Sequence, residues 1–376
     1  MIQNEFPLRD DLTYLNHAAV GVWPRRTAEA VQAFAEENML QGATNYPAWM
    51  RVERELRTRL QCLLNAESPD DIALVKNTSE GLSLVAYGLD WRHGDNIVLT
   101  DQEFPSNRII WESLQSLGVE PRPARLSESG SAEAAIISRC DERTRLVSIS
   151  SVQFGTGLRL DLRKLGQFCR ANNILFCVDA IQSLGALKLD VQAVQADFIV
   201  ADGHKWLLGP EGLALFYTRP DAREKLRLNQ YGWHMVQHAG EFDRLDWKIA
   251  KGGRRFEPGS PNMVAIHALN ASLSLLLEIG MERVETAVLK NASILMDLIN
   301  QQAGLELITP DEEGRFGGIV TFRHHATDAQ TICRSLMNRN VICAARGGGV
   351  RFSPHFYNQP KQLELAVALA SGPYFK

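Results

Sequence analysis

Short runs of Val, Ile and Leu alternate with longer amphipathic stretches through the middle of the chain. Residues 72–75, 97–100, 146–150, 174–178, 198–201 and 213–217 read as strands. They are continuous apolar runs rather than alternating ones, the pattern expected of strands covered on both faces. Helical periodicity fills the gaps. Over 50–65, Val52, Leu56, Leu60, Leu63 and Leu64 form one stripe, with Arg and Glu opposite. Residues 107–117 and 162–171 show similar patterns. This alternation predicts an α/β fold with a mostly parallel central sheet and helices on both faces. After Pro261 the texture changes. Two long helical patterns, 263–279 and 282–299, follow in succession. Strand candidates at 318–322, 341–344 and 350–353 come next, flanked by helical patterns at 328–338 and 362–370. The organisation predicted is a large unit over 16–270 and a smaller α+β unit made of 1–15 and 271–376. No fixed-period repeat or low-complexity linker interrupts it.

The chain has 376 residues, 45% of them hydrophobic and 22% charged. That length buries a sizeable core without disulfides or metal staples. Forty basic against 44 acidic residues give a net charge of −4. This balance offers no electrostatic basis for binding nucleic acid or an anionic membrane, and it points to a small-molecule partner. The first ten residues carry acids and no apolar core, unlike a secretory signal. No apolar run approaches the length of a membrane span. Six cysteines form no CxxC pair, so a reducing cytoplasm is the expected location. His324-His325 has no further ligand at metal spacing, and no metal site is expected.

Three segments carry candidate chemistry. In Ala201-Asp202-Gly203-His204-Lys205-Trp206, a glycine turn holds a lysine just beyond an apolar strand. Lysine resists burial, so this placement suggests an amine nucleophile towards an aldehyde, a solvated loop lysine being the alternative. Asp179 directly follows another apolar strand and so faces the crevice beyond the sheet's carboxyl edge, unless it merely caps a helix. Gln182 lies one helical turn further on. Lys76-Asn77-Thr78-Ser79-Glu80-Gly81 follows the strand at 72–75 and offers hydroxyls and free amides at a helix start, which suits either an anion or a plain cap.

Taken in order, the motifs resemble pyridoxal-phosphate enzymes of fold type I, in the class V aminotransferase group that includes cysteine desulfurases and kynureninases. The matching segments are 14–19, 77–81, Glu103-Phe104-Pro105-Ser106-Asn107, 151–157, Asp179-Ala180-Ile181-Gln182, Gly203-His204-Lys205, 255–261 and Arg351-Phe352-Ser353. The resemblance implies that pyridoxal 5'-phosphate is held as an internal aldimine on Lys205. It implies that Asp179 pairs with the pyridine nitrogen, Gln182 binds the phenolic oxygen and Phe104 stacks on the ring. It assigns Thr78, Ser79, His204 and the helix amides to the phosphate. Ser260 would reach the phosphate of a neighbouring subunit, which implies a homodimer with shared sites. Arg351 would clamp the substrate carboxylate. Asn16, His17, Tyr231, Trp233 and His234 are substrate-side candidates, and the lack of a cation in 231–234 points to a neutral or aromatic substrate side chain.

Two departures stand out. Asp202 occupies a position where the family often has Ser on the phosphate; an Asp there either turns away or orients His204. The desulfurases carry a nucleophilic Cys on a loop ahead of the substrate Arg. Here that stretch is Ala345-Arg346-Gly347-Gly348-Gly349, and Cys343 sits in an apolar strand pattern, which argues against a persulfide-forming enzyme. The glycines also suit a tight turn or an amide anion site. The resemblance therefore implies an enzyme acting at Cα or Cβ of a small amino acid, read first as an aminotransferase. A C–S lyase or an epimerase is the alternative, and a non-catalytic scaffold the alternative of another class.

Overall fold

A computed structural model describes residues 2–127 and 130–372. Met1 and residues 373–376, assigned above to the smaller unit, lie outside the described residues. The central sheet has seven strands: β1 (Ile72–Val75), β2 (Asn96–Thr100), β3 (Glu120–Ala124), β4 (Thr144–Ser150), β5 (Leu175–Asp179), β6 (Phe198–Asp202) and β7 (Ala214–Thr218). Their spatial order is β1-β7-β6-β5-β4-β2-β3. Only β7 runs against its neighbours, pairing antiparallel with both β6 and β1. The expected α/β architecture is present, and six of the strands fall within one or two residues of the sequence reading.

The seventh, β3, was not foreseen because its sequence is Glu-Pro-Arg-Pro-Ala. It is an edge strand pairing with β2 alone. Prolines at alternate positions direct their missing N–H groups towards the open side, the one place a sheet tolerates them. The helix Arg25–Gln41 likewise has no signature in the hydrophobic pattern. Of its residues only Thr27 is buried, so it shows no apolar stripe. The pattern at 107–117 is two pieces, an α-helix Ser106–Glu112 and a 3-10 turn Ser113–Leu117 closed by Gly118 at φ 77°.

The helices Met263–Ile279 and Met281–Asn300 meet at Gly280, φ 88°, with a bend of 86°. Among the described residues no single helix is long and apolar enough to cross a membrane. A second, four-stranded sheet follows: β8 (Leu305–Leu307), β9 (Val320–His324), β10 (Ala344–Arg346) and β11 (Gly349–Phe352), in the order β10-β11-β9-β8 and antiparallel throughout. The strand expected at 341–344 is split. Val341–Ile342 instead pairs in parallel with Thr13–Tyr14, which brings the start of the chain against this sheet.

A buried ion cluster fixes the segment leading to Ser260. Arg57 donates from Nη1 and Nη2 to the two carboxylate oxygens of Glu257 at 2.8 and 2.7 Å, and from Nε to Glu53 at 3.0 Å. Glu257 also accepts the Leu74 amide of β1 at 2.8 Å. Removing one member of such a cluster strands the other charges out of water. Arg57→Ala is expected to cost about 3–5 kcal/mol of unfolding free energy, read from the urea midpoint, and Arg57→Lys distinctly less.

Candidate active site

Strands β1, β2, β4, β5 and β6 point the same way, so Thr78, Phe104, Ser151, Asp179 and Lys205 all lie at or just beyond their carboxyl ends. This is the edge at which open α/β sheets bind ligands. The strand pattern thus gathers residues that lie more than a hundred positions apart in sequence.

The turn that carries Lys205 is gripped from several directions. The Gly21 amide donates to the His204 carbonyl at 2.6 Å, and a Cβ on Gly21 would sit 2.1 Å from the Lys205 carbonyl oxygen. Ser272 donates to the Leu208 carbonyl at 2.8 Å and Trp23 Nε1 to the Gly209 carbonyl at 3.0 Å. Leu208 is held at φ 59°, a conformation that costs a non-glycine residue free energy and persists only where its surroundings fix it. Lys205 Nζ lies 5.6 Å from the centre of the Phe104 ring. Phe104 is 41% exposed and meets Phe154 edge-on at 5.2 Å, so one ring face is open to a ligand.

Charge burial dominates the electrostatics. Burial depresses the Lys205 ammonium, Asp179 opposes the shift and Arg351 adds to it. Burial likewise pushes the Asp179 carboxyl up, against a 3.0 Å hydrogen bond from the Ile181 amide. No cation lies within ion-pair distance of Asp179 among the described residues. Arg351 is buried; Nη1 donates to the Phe154 carbonyl at 2.8 Å, while Nε has no partner.

These groups fit the cofactor that the motifs imply. The buried side-chain polar atoms without a hydrogen bond among the described residues belong to eight residues. Four of them, Asn16, Thr78, His204 and Arg351, are candidate residues of this site; His234, a fifth, lines a separate cavity. A buried polar atom is normally satisfied; His204 Nδ1 has Asp202 beside it, so Thr78 Oγ1 and Arg351 Nε are the atoms that a ligand can satisfy. Asp179 suits a pyridinium, and Thr78 Oγ1 at the start of the helix Thr78–Gly88 suits a phosphate. Ser79 donates to Ser106 at 2.9 Å. His204 Nδ1 lies 2.9 Å from Asp202 Oδ1, so Asp202 stands beside the imidazole, where it can orient it.

Other candidates are placed differently. Gln182 accepts from Trp206 Nε1 at 3.0 Å and donates to the Ala18 carbonyl at 3.1 Å, which leaves one amide hydrogen for a ligand. His17 is fully buried. Its Nδ1 lies 2.9 Å from the Ser353 carbonyl, which only accepts, so Nδ1 carries the proton and Nε2 accepts from Tyr357 at 2.7 Å. Burial holds this imidazole neutral, and both nitrogens serve the protein rather than a substrate. His234 lines a cavity of about 560 Å³ with Glu53, Arg57 and Asp70. Tyr231 and Trp233 line another with Phe242 and Trp247. Neither cavity includes Lys205, Asp179 or Arg351. Ser260 is exposed.

The model of the aminotransferase class-V family matches residues 13–365. The chain belongs to this pyridoxal-phosphate-dependent family. A probable cysteine desulfurase of Methanothermobacter thermautotrophicus is 29% identical, over 97% of this chain and 95% of its own. An uncharacterized aminotransferase of Bacillus subtilis is 27% identical, over 96% and 94%. Among solved structures, the cystine C–S lyase C-DES in complex with its reaction product cysteine persulfide superposes with a TM-score of 0.89. It is 26% identical, over 98% of this chain and 100% of that one.

Sequence reading missed the residues that hold this class-V site in place. Glu103 is fully enclosed and accepts from Thr100, Asn107 and the amide and hydroxyl of Ser150, tying the ends of β2 and β4 together. His355 Nε2 donates to the Trp206 carbonyl at 3.1 Å. Glu103 stands inside a quoted motif, beside the ring that drew attention; His355 follows the Arg351 motif and carried no local signal.

Asp179 makes a test of the site's electrostatics. Its folded-state pKa is raised, so its contribution to stability is present at low pH and is lost as pH rises through that value. In cofactor-free protein, Asp179→Asn removes this loss. Its melting temperature should therefore exceed the parent's by a few degrees at about pH 8 and by little at about pH 5, while its pyridoxal phosphate affinity falls.

Proposed function

We propose that this class-V enzyme is a C–S lyase, removing a sulfur leaving group from Cβ of a cysteine-derived amino acid. The observation that carries this reading is the hairpin β10–β11 ahead of Arg351. Its turn is Arg346-Gly347-Gly348-Gly349, with no cysteine to accept sulfur. Cys343, just before the hairpin, is buried in the core of the smaller sheet with Sγ 3.6 Å from Cys333 Sγ. Full-length similarity to a cystine C–S lyase supports the same branch. Transamination, the first reading above, rests on the family name and on relatives without a characterised activity. The desulfurase relatives share the frame, but the acceptor cysteine has no counterpart in this turn.

The chain's own residues supply the steps. Arg351 has Nη1 engaged by Phe154, so Nε and Nη2 form the free fork for the substrate α-carboxylate. That contact fixes Cα near Lys205. Burial keeps the Lys205 amine from holding its proton as tightly as a free lysine, so it is ready to take the Cα proton as a general base. When bound, pyridoxal phosphate supplies the electron sink for the charge left on Cα. Asp179 would hold a proton on the ring nitrogen, and Phe104 and Phe154 present apolar rings at the mouth of the site.

The test uses purified holoenzyme and L-cystine with no keto acid present. The expected products are pyruvate, ammonia and cysteine persulfide in equal amounts. Amino transfer that requires a keto acid, or alanine formed together with protein-bound sulfur, would overturn the proposal.

A further inference from the structure

The hairpin β10–β11 carries a second guanidinium that the steps above do not use. Ala344 pairs with Arg351 and Arg346 with Gly349, so Arg346 and Arg351 lie on the same face of the sheet. Val350 and Phe352, on the other face, are buried in the apolar core. Thr321, paired with Arg351 on the same face, donates to the Gly155 carbonyl at 2.7 Å. That face is therefore turned to the loop 151–157 beyond β4. The turn touches this loop directly: a Cβ on Gly347 would sit 2.2 Å from the Gly155 oxygen. Phe154, in the same loop, meets Phe104. Arg346 thus stands at the rim of the site that Arg351 lines from within.

Neither guanidinium is neutralised. Among the described residues, no carboxylate lies within ion-pair distance of Arg346 or Arg351. Arg346 makes one hydrogen bond, from Nη1 to the Ala345 carbonyl at 2.8 Å. The two are close enough to repel, since Arg346 adds to the effect of burial in lowering the Arg351 pKa to about 10. Diagonal positions on neighbouring strands stand about 7–8 Å apart at Cα. Arg346 is exposed at the mouth of the cleft and Arg351 is buried beneath it, so a substrate entering from solvent can present an anion to each.

We infer that Arg346 binds a second carboxylate of the substrate, so that the site selects amino acids with two carboxylates several bonds apart, of which cystine is the sulfur-containing case. This rests on the C–S lyase reading for the reaction and on the sheet register for the recognition. It replaces the neutral or aromatic side chain expected from residues 231–234, because the deciding cation comes from the other end of the chain.

Two measurements on the holoenzyme separate the parts. In calorimetric titration, adipate and hexanoate report on two carboxylates and one, and neither has an amine to react. Arg346→Gln is expected to weaken adipate about tenfold more than hexanoate, and Arg346→Lys to restore part of the loss. In steady-state assays, the ratio of kcat/KM for cystine to that for S-methylcysteine should fall about tenfold in Arg346→Gln. A selective loss below threefold, or equal loss for both members of each pair, overturns the inference. If neither sulfur amino acid is turned over, the C–S lyase reading fails, and the adipate comparison still decides the role of Arg346.

Discussion

The structure depends on holding a half-buried amine and a buried carboxyl at one edge of a sheet, where burial opposes the charge on each. Asp179 ends β5 and Lys205 follows the adjacent strand β6. Nothing in the described chain relieves Asp179 with a direct ion pair. The fold compensates elsewhere, through continuous apolar strands, the Arg57–Glu257 cluster and the many hydrogen bonds around the turn at 203–209. A site that is costly by itself is stable when its frame is over-determined, and a bound cofactor is what converts that cost into chemistry.

Much of this was legible in the sequence. Buried parallel strands announce themselves because most of their residues are apolar, so β4, β5 and β6 stood out, and with them the polar residues at their ends. Asp179 was found because it ends an apolar run, and Lys205 because it sits on a glycine turn just beyond one. β3 was hidden because its prolines contradict strand propensity, a contradiction that only an edge position resolves. His17 shows the other limit. Its motif was recognisable, yet its role was set by Ser353 and Tyr357, which are 336 and 340 residues away. No local pattern shows which distant groups will use both ring nitrogens.

The register of the small sheet accounts for the rest. Whether Arg346 faces the site or solvent depends on pairing in a hairpin whose turn is three glycines, and a one-residue slip would reverse it. The tight approach of Gly347 to Gly155 fixes that register, because any side chain at 347 would collide with the facing backbone. Specificity at the rim of the cleft therefore comes from backbone packing as much as from charge.

The opening residues also bear on how the molecule is made. Thr13 and Tyr14 pair with Val341 and Ile342, Asn16 bridges to Ser353, and a few residues later Gly21 clamps the carbonyl just ahead of the lysine. Residues 13–16 thus wait for partners synthesised more than 300 residues later. Until residues 341–353 have left the ribosome, residues 13–17 lack their strand pairing, and the clamp of Gly21 on the lysine turn is held on one side only. Such long-range closure slows folding. It also means that a nascent or C-terminally shortened chain would be expected to hold its sheet before it holds a working centre.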